Sequence, residues 1–237
     1  MSDDAADLAR IYPPAVWPDP DRSRLGLLVI DLQRLCADPA RGMFAAARAI
    51  GREDLIAGYG ARLASVVLPG VARLADVCRA AGVPVVLTRI RSDTPGPEGR
   101  SACHVALGIQ VEPDSPDGDI VDALTVHEAD VVVSKTTSDA FVGTELAEVL
   151  DRLGVEHLAV CGVLTNECVE STVRHAADLH FTVHLLEDGC AALTDALHEQ
   201  AVRSMTHAYA RRSSVAEMLA VVAGGADAGE DAGKDAG

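Results

Sequence analysis

Apolar residues along this chain fall into two alternating rhythms. Short runs rich in β-branched residues, at 25–31 (LGLLVID), 83–90 (VPVVLTRI), 130–134 (DVVVS), 157–162 (HLAVCG) and 181–186 (FTVHLL), show almost no polar alternation. Unbroken apolar runs of this length are expected of strands covered on both faces. Between them the period becomes helical. Val71, Leu74, Ala75, Cys78 and Ala81 share one face of a helix that Pro69 opens and Gly82 stops. Leu146, Val149, Leu150 and Leu153 form a second stripe, capped by Thr144 and ended by Gly154. Val169, Thr172, Val173, Ala176 and Ala177 form a third, and Leu197, Ala201, Met205 and Ala208 a fourth behind a Thr194 cap. A sixth short strand is expected near 214–215 and a closing helix over 216–222. Strand–helix alternation repeated this often predicts an α/β fold: a single-domain, doubly wound, Rossmann-like, mostly parallel six-stranded sheet with helices on both faces.

The pattern assigns the domain to residues 25–222. Residues 1–24 read as an extended arm, with four prolines and with Tyr12 and Trp17, and 223–237 (AGGADAGEDAGKDAG) as a disordered acidic Ala/Gly tail. Residues 36–62 are long for a connection and make a candidate lid or subunit contact. Residues 91–118, rich in Pro, Gly, Ser and Asp, form a second loop region beyond a strand end. The formal net charge of −16 argues against nucleic-acid partners and anionic membrane surfaces, which both call for clustered Lys and Arg. No apolar run is expected to approach the ~20 residues of a membrane span. The start, MSDDAADLAR, lacks the pattern of a secretory leader, and the six cysteines show no CxxC pairing. Reduced thiols and a cytoplasmic location are the expectation.

In a parallel sheet, side chains at the C-terminal strand ends converge on one rim. Asp31 ends the first strand, Lys135 the third, and Cys168 follows the fourth at the start of a helix. An acid, a cation and a thiol on one rim have the logic of an activated cysteine. The helix N-terminus and the ammonium are expected to favour the thiolate, and the carboxylate to take the thiol proton. Gln33, Arg89, Arg91 and Phe141 also fall near this rim as candidate substrate contacts. Each has a structural alternative: Gln33 holding the first loop, either arginine in an ion pair, Phe141 in the core. The eight histidines show no paired-ligand spacing, and His104 stands isolated.

Three segments carry a family resemblance. VIDLQ at 29–33, SKTTSDAFVGTEL at 134–146 and GVLTNECVESTVRHA at 162–176 together resemble the isochorismatase-like cysteine hydrolases, over about 25–218. The resemblance implies a catalytic triad of Asp31, Lys135 and Cys168. It also implies a cis peptide between Val163 and Leu164, and an oxyanion hole from the Leu164 and Cys168 amides. Thr165 and Asn166 are then expected to shape the turn and cap the helix. The implied reaction is hydrolysis of an amide or carbamoyl C–N bond through a thioester, and the wording TNECVESTVR most resembles the ureidoacrylate, biuret and carbamoyl branch. A homodimer or homotetramer is implied as well. Nicotinamidases of the family carry an Asp-x-His metal motif after the second strand; here that stretch reads TRIRSDTPGPEGRSACH. No metal and no cofactor are therefore expected, and nicotinamide is disfavoured, in keeping with three per cent aromatic residues. Two alternatives stand beside this reading: a vinyl-ether hydrolase of the isochorismatase type that dispenses with the cysteine, and a non-catalytic binding protein of the same fold.

Overall fold

The computed structural model describes residues 10–96 and 98–224. The six strands are β1 (Leu25–Ile30), β2 (Val85–Ile90), β3 (Val131–Lys135), β4 (His157–Val163), β5 (Thr182–Ala191) and β6 (Arg211–Ser213). They form one sheet in the order β3-β2-β1-β4-β5-β6, and every pairing between them is parallel. The order reverses between β1 and β4, where a doubly wound sheet opens a crevice beyond its strand ends. All six residues of β1 are buried, which accounts for the absence of polar alternation in its sequence.

Helices α1 (Arg34–Ala37), α2 (Gly42–Ala49) and α3 (Ala57–Arg62) occupy the long first connection, and α4 (Leu68–Ala80) leads into β2. Helix α5 (Ala102–Leu107) lies in the second loop region, and α6 (Leu146–Arg152), α7 (Glu170–Asp178), α8 (Asp195–Ala208) and α9 (Val215–Gly224) complete the layers. The buried face of α4 is Val71, Leu74, Ala75 and Cys78, as its 3.6-residue period requires. Thr194 caps α8, its hydroxyl accepting from the Leu197 N–H at 3.3 Å.

Three expectations are corrected and one is extended. Pro69 sits in the first turn of α4, as expected, but α4 continues a helical rod that runs from Glu53 to Ala80. Proline cannot supply the ladder hydrogen bond to the turn before it, and that turn, Leu63–Val67, widens into a π-helix. This rod is, by length and composition alone, apolar enough to cross a membrane, contrary to the expected absence of such a run. Helices packed on a domain core have the same character, and here Leu63, Val67, Val71 and Leu74 are buried against the domain. The sixth strand is Arg211–Ser213 rather than 214–215; its polar composition suits a sheet edge and hides it from an apolar-run criterion. Strand β5 extends to Ala191 because its pairing with β4 shifts between Val160 and Gly162.

The closing helix takes in Ala223 and Gly224, which the sequence pattern assigned to the tail. The rest of that tail, 225–237, and arm residues 1–9 lie outside the described residues. The later part of the arm runs along α8, where the Ala15 N–H donates to the His207 carbonyl at 2.8 Å and Tyr12 lies against the His207 ring.

Candidate active site

The C-terminal ends of β1, β3 and β4 each deliver one reactive side chain. Asp31, just past β1, has φ +50°, a left-handed backbone that few side chains tolerate and that Asp accepts more readily than most. Its carboxylate is buried. Thr88 on β2 donates its hydroxyl to Asp31 Oδ1 at 2.8 Å, and Lys135 Nζ lies 2.7 Å from Oδ2. The ammonium also donates to the carbonyls of Thr137 (2.8 Å) and Ser138 (3.1 Å). Oδ2 meets the Lys135 ammonium at charge-assisted hydrogen-bond distance, and the Cys168 thiol reaches the same carboxylate. A buried pair of this kind is tolerable because each partner is further satisfied by neighbours.

Beyond β4 the chain turns sharply. Gly162 has φ +123°, and a Cβ there would fall 2.0 Å from the Ile30 carbonyl oxygen, so only glycine lets β4 run this close to β1. The Val163–Leu164 peptide is cis. A π-turn, Thr165–Val169, follows and carries Cys168 into α7. Cys168 is 6% exposed and interacts with both Asp31 and Lys135.

The electrostatics reverse one expectation. Burial first, then the Asp31 carboxylate, push the Cys168 thiol well above its ordinary value, with Lys135 opposing. Burial works against the Lys135 ammonium, but the Asp31 carboxylate opposes it and the group is raised. The resting site therefore holds a thiol beside a carboxylate–ammonium pair, not a preformed thiolate. Helix position and a nearby cation were the visible signals; a nearly dry site and an adjacent anion override them.

Above Cys168 lies a cavity of ≈ 280 Å³ bounded by three parts of the chain. Leu35, Cys36 and Met43 come from the first connection, Leu107 and Ile109 from the second loop region, and Val163, Leu164, Glu167 and Leu193 from the β4 and β5 sides, with Ile90 between. Residues 36–62 thus contribute to a cavity wall through α1 and α2.

None of the four expected substrate contacts lines this cavity. The Gln33 amide donates to the carbonyls of Ile90 (2.9 Å) and Asp117 (3.0 Å) and accepts from the Ile90 N–H, which consumes it in bracing the loops. Arg91 pairs with Asp119 at 2.7 Å and donates to the Ser115 carbonyl. Arg89 donates to Ser134 Oγ on β3 at 3.1 Å, and burial, then Arg91, lower its pKa. Phe141 packs between the rings of His175 (5.2 Å) and Phe181 (6.0 Å). Asn166 does not cap the helix: Leu164 holds the cap position and Asn166 Oδ1 has no partner. Thr165 instead shares a hydrogen bond with His198 Nδ1 at 2.9 Å.

Thr88, Cys36 and Glu167 were not singled out by sequence reasoning. Thr88 had a usable signal, a single hydroxyl within an apolar strand that neighbours β1. Glu167 and Cys36 had none, since their roles depend on how loops fold over the rim. His104, on α5, is 1% exposed with neither ring nitrogen hydrogen-bonded. Burial and then Lys135 lower its pKa, so the ring is neutral near pH 7. Among the described residues no group of three or more His, Cys, Asp or Glu side chains is gathered as a metal site.

A family model described as "Isochorismatase domain" matches residues 26–217. The chain belongs to the isochorismatase family. It is 29% identical to Nicotinamidase 3 of Arabidopsis thaliana over 196 residues, 81% of this chain and 85% of that protein. An uncharacterized isochorismatase family protein, YecD, of Escherichia coli is 33% identical over 168 residues, covering 68% of this chain and 85% of the relative. The ureidoacrylate amidohydrolase RutB of Azorhizobium caulinodans is 27% identical, covering 68% and 74%. Among solved structures, a cysteine hydrolase from Pseudomonas syringae superposes with a TM-score of 0.74 at 22% identity, over 90% of this chain and 98% of that one. That similarity establishes the α/β fold, and the family match makes this protein an isochorismatase-family hydrolase.

Proposed function

We propose that the protein is a cysteine-dependent amidohydrolase acting on a small amide or carbamoyl compound through a thioester. The observation that carries this reading is the convergence of Asp31, Lys135 and Cys168 from three separate strand ends, with Cys168 lining one cavity and the Asp31–Lys135 pair buried behind it. A binding protein gains nothing from a buried carboxylate–ammonium pair beside a thiol, because such a pair is costly to desolvate. Relatives named as a nicotinamidase and a ureidoacrylate amidohydrolase support amide chemistry.

The resting thiol shapes the mechanism. Substrate enters over Cys168, and Asp31 takes the thiol proton as sulfur attacks the carbonyl carbon, so that no free thiolate accumulates. Lys135 balances the charge that passes between sulfur and carboxylate. The Leu164 and Cys168 N–H groups are assigned the developing oxyanion. Collapse of the tetrahedral species breaks the C–N bond as Asp31 returns its proton to the departing nitrogen. Water, deprotonated by Asp31, then attacks the thioester, releasing the acid and restoring the thiol.

Ammonia release across a panel of primary amides and ureido compounds, with wild type and Cys168→Ala compared, tests this. The alanine variant is expected to lose at least ~10⁴-fold in kcat, and mass spectrometry of quenched wild type to show an acyl group on Cys168. Turnover that survives Cys168→Ala would sink the thioester mechanism.

A further inference from the structure

The cavity over Cys168 has a one-sided chemistry. Leu35, Met43, Ile90, Leu107, Ile109 and Leu193 bring aliphatic surface to it from separate segments. Among the described residues a single charged one lines it, Glu167, which immediately precedes the nucleophile. Among the described residues that carboxylate has no ion pair and no hydrogen-bond donor, whereas Glu170, three residues on, is paired with Arg174 at 2.7 Å. Nearby cations are engaged elsewhere. Lys135 is held by Asp31 and two carbonyls, Arg91 by Asp119, and Arg41 by Asp38 and Asp117. Glu167 also adds to the field on the cavity thiol of Cys36, which burial, then Asp31, push up to about 12. Arg100 stands behind the wall, donating to the Ile109 carbonyl at 2.9 Å. Among the described residues an anionic ligand would thus meet a carboxylate on the cavity lining and no cation there.

We propose that Glu167 is the specificity-determining residue of this pocket. It admits small amides with an aliphatic body that are neutral, or that carry an ammonium or N–H donor group, and it turns away amides that bear a carboxylate. This inference rests on the amidohydrolase reading for its substrate class, but not for the sign of the charge selection. In a cavity of ≈ 280 Å³ a substrate carboxylate cannot sit far from Glu167. Two like charges ~6 Å apart at an effective dielectric of ~20 correspond to discrimination on the order of 100-fold. The same field favours an ammonium.

The test uses the full chain and three amides of similar length: butyramide, 4-aminobutyramide and succinamate. Wild type is expected to hydrolyse 4-aminobutyramide at least as fast as butyramide in kcat/KM, and succinamate at least ~30-fold more slowly than butyramide. Glu167→Gln should narrow the gap between butyramide and succinamate by ~10-fold or more, and Glu167→Lys should reverse the preference between 4-aminobutyramide and succinamate. Succinamate turned over by wild type as fast as butyramide, or a gap unchanged in both variants, would overturn the proposal. A second readout does not depend on amidase activity: alkylation of Cys168 by neutral iodoacetamide and anionic iodoacetate, each normalised to free cysteine and mapped by mass spectrometry. If no amide is hydrolysed while Cys168 still discriminates by charge in a Glu167-dependent way, the amidohydrolase reading fails and the charge selection stands. Equal normalised rates in wild type and both variants, or no alkylation at Cys168, would overturn the charge selection itself.

Discussion

The floor and the walls of the pocket are built by different means. At the floor Cys168 lines the cavity, with Asp31 and Lys135 buried behind it; all three issue from strand ends whose spacing is set by the parallel sheet, and all are nearly sealed from solvent. The walls come from connections: α1 and α2 on one side, α5 and the chain up to Ile109 on the other. Leu107, at the mouth, is 57% exposed. The floor is over-determined by sheet pairing and buried charge, so a change there costs stability and chemistry together. A wall can change without disturbing the sheet, so a change there alters which molecule is accepted.

Lys135→Met tests the contrast most severely. It leaves Asp31 buried without its cation, at a cost of ~3–5 kcal/mol by denaturant unfolding, together with loss of turnover. A variant of wild-type stability would mean the floor is not held by charge.

Acidification probes the sheet away from the pocket. His184 on β5 is fully buried; burial first, then His157 and Arg211, lower its pKa to about 4. The unfolded chain, with histidine near pKa 6.5, binds more protons than the folded one between the two values. Stability should therefore fall as pH drops from about 6.5 toward 4, by roughly 2–3 kcal/mol at pH 4.5. His104 and His198, both also lowered by burial, act in the same direction. Unfolding midpoints from pH 7 to 4.5 should show a shallower slope in His184→Gln; an identical slope would remove His184 as the cause.

Gln33→Ala lies between floor and wall. It deletes three hydrogen bonds, two of them buried, and is expected to cost ~2–3 kcal/mol while loosening the 115–119 segment, visible as faster amide exchange there. Leu107→Ala should do least to the fold, within about 0.5 kcal/mol, yet shift KM several-fold for whichever amide proves to be the substrate. Should it destabilise as much as Gln33→Ala, the separation of wall from floor is lost.

The floor was legible in the sequence because strand period and strand end can be read from a single chain. Asp31 after LGLLVI, Lys135 after VVVS and Cys168 beyond HLAVCG fall on one rim once those runs are taken as parallel strands. The walls were not legible, for a physical reason. Gln33, Arg89, Arg91 and Phe141 occupy the same rim, but long-range partners at 117–119, Ser134, His175 and Phe181 draw them away from the cavity, and sequence neighbours do not reveal such partners. The protonation state of Cys168 was misread for a related reason. Helix position is local and visible, whereas burial and the approach of Asp31 arise only from tertiary packing. The polar strand Arg211–Ser213 escaped because an edge strand need not be apolar.

The bracing around Gln33 has a consequence for how this scaffold can change. The Ser92 N–H donates to the Val111 carbonyl at 2.9 Å, and past that point the chain is tied to β1 and β2 by Gln33, by the Arg91–Asp119 pair and by the Val121 N–H to the Leu32 carbonyl. The two ends of the second loop region, Ser92 and Val111, are therefore held side by side, while Leu107 and Ile109 reach the pocket from between them. Between those ends the Ser101 N–H donates to the Thr136 carbonyl at 3.1 Å and Thr136 Oγ1 to the Gly99 carbonyl at 2.7 Å. A recombination crossover at Ser92 and Val111 would thus transplant one wall of the pocket as a unit when the incoming segment keeps this docking on the backbone that follows Lys135.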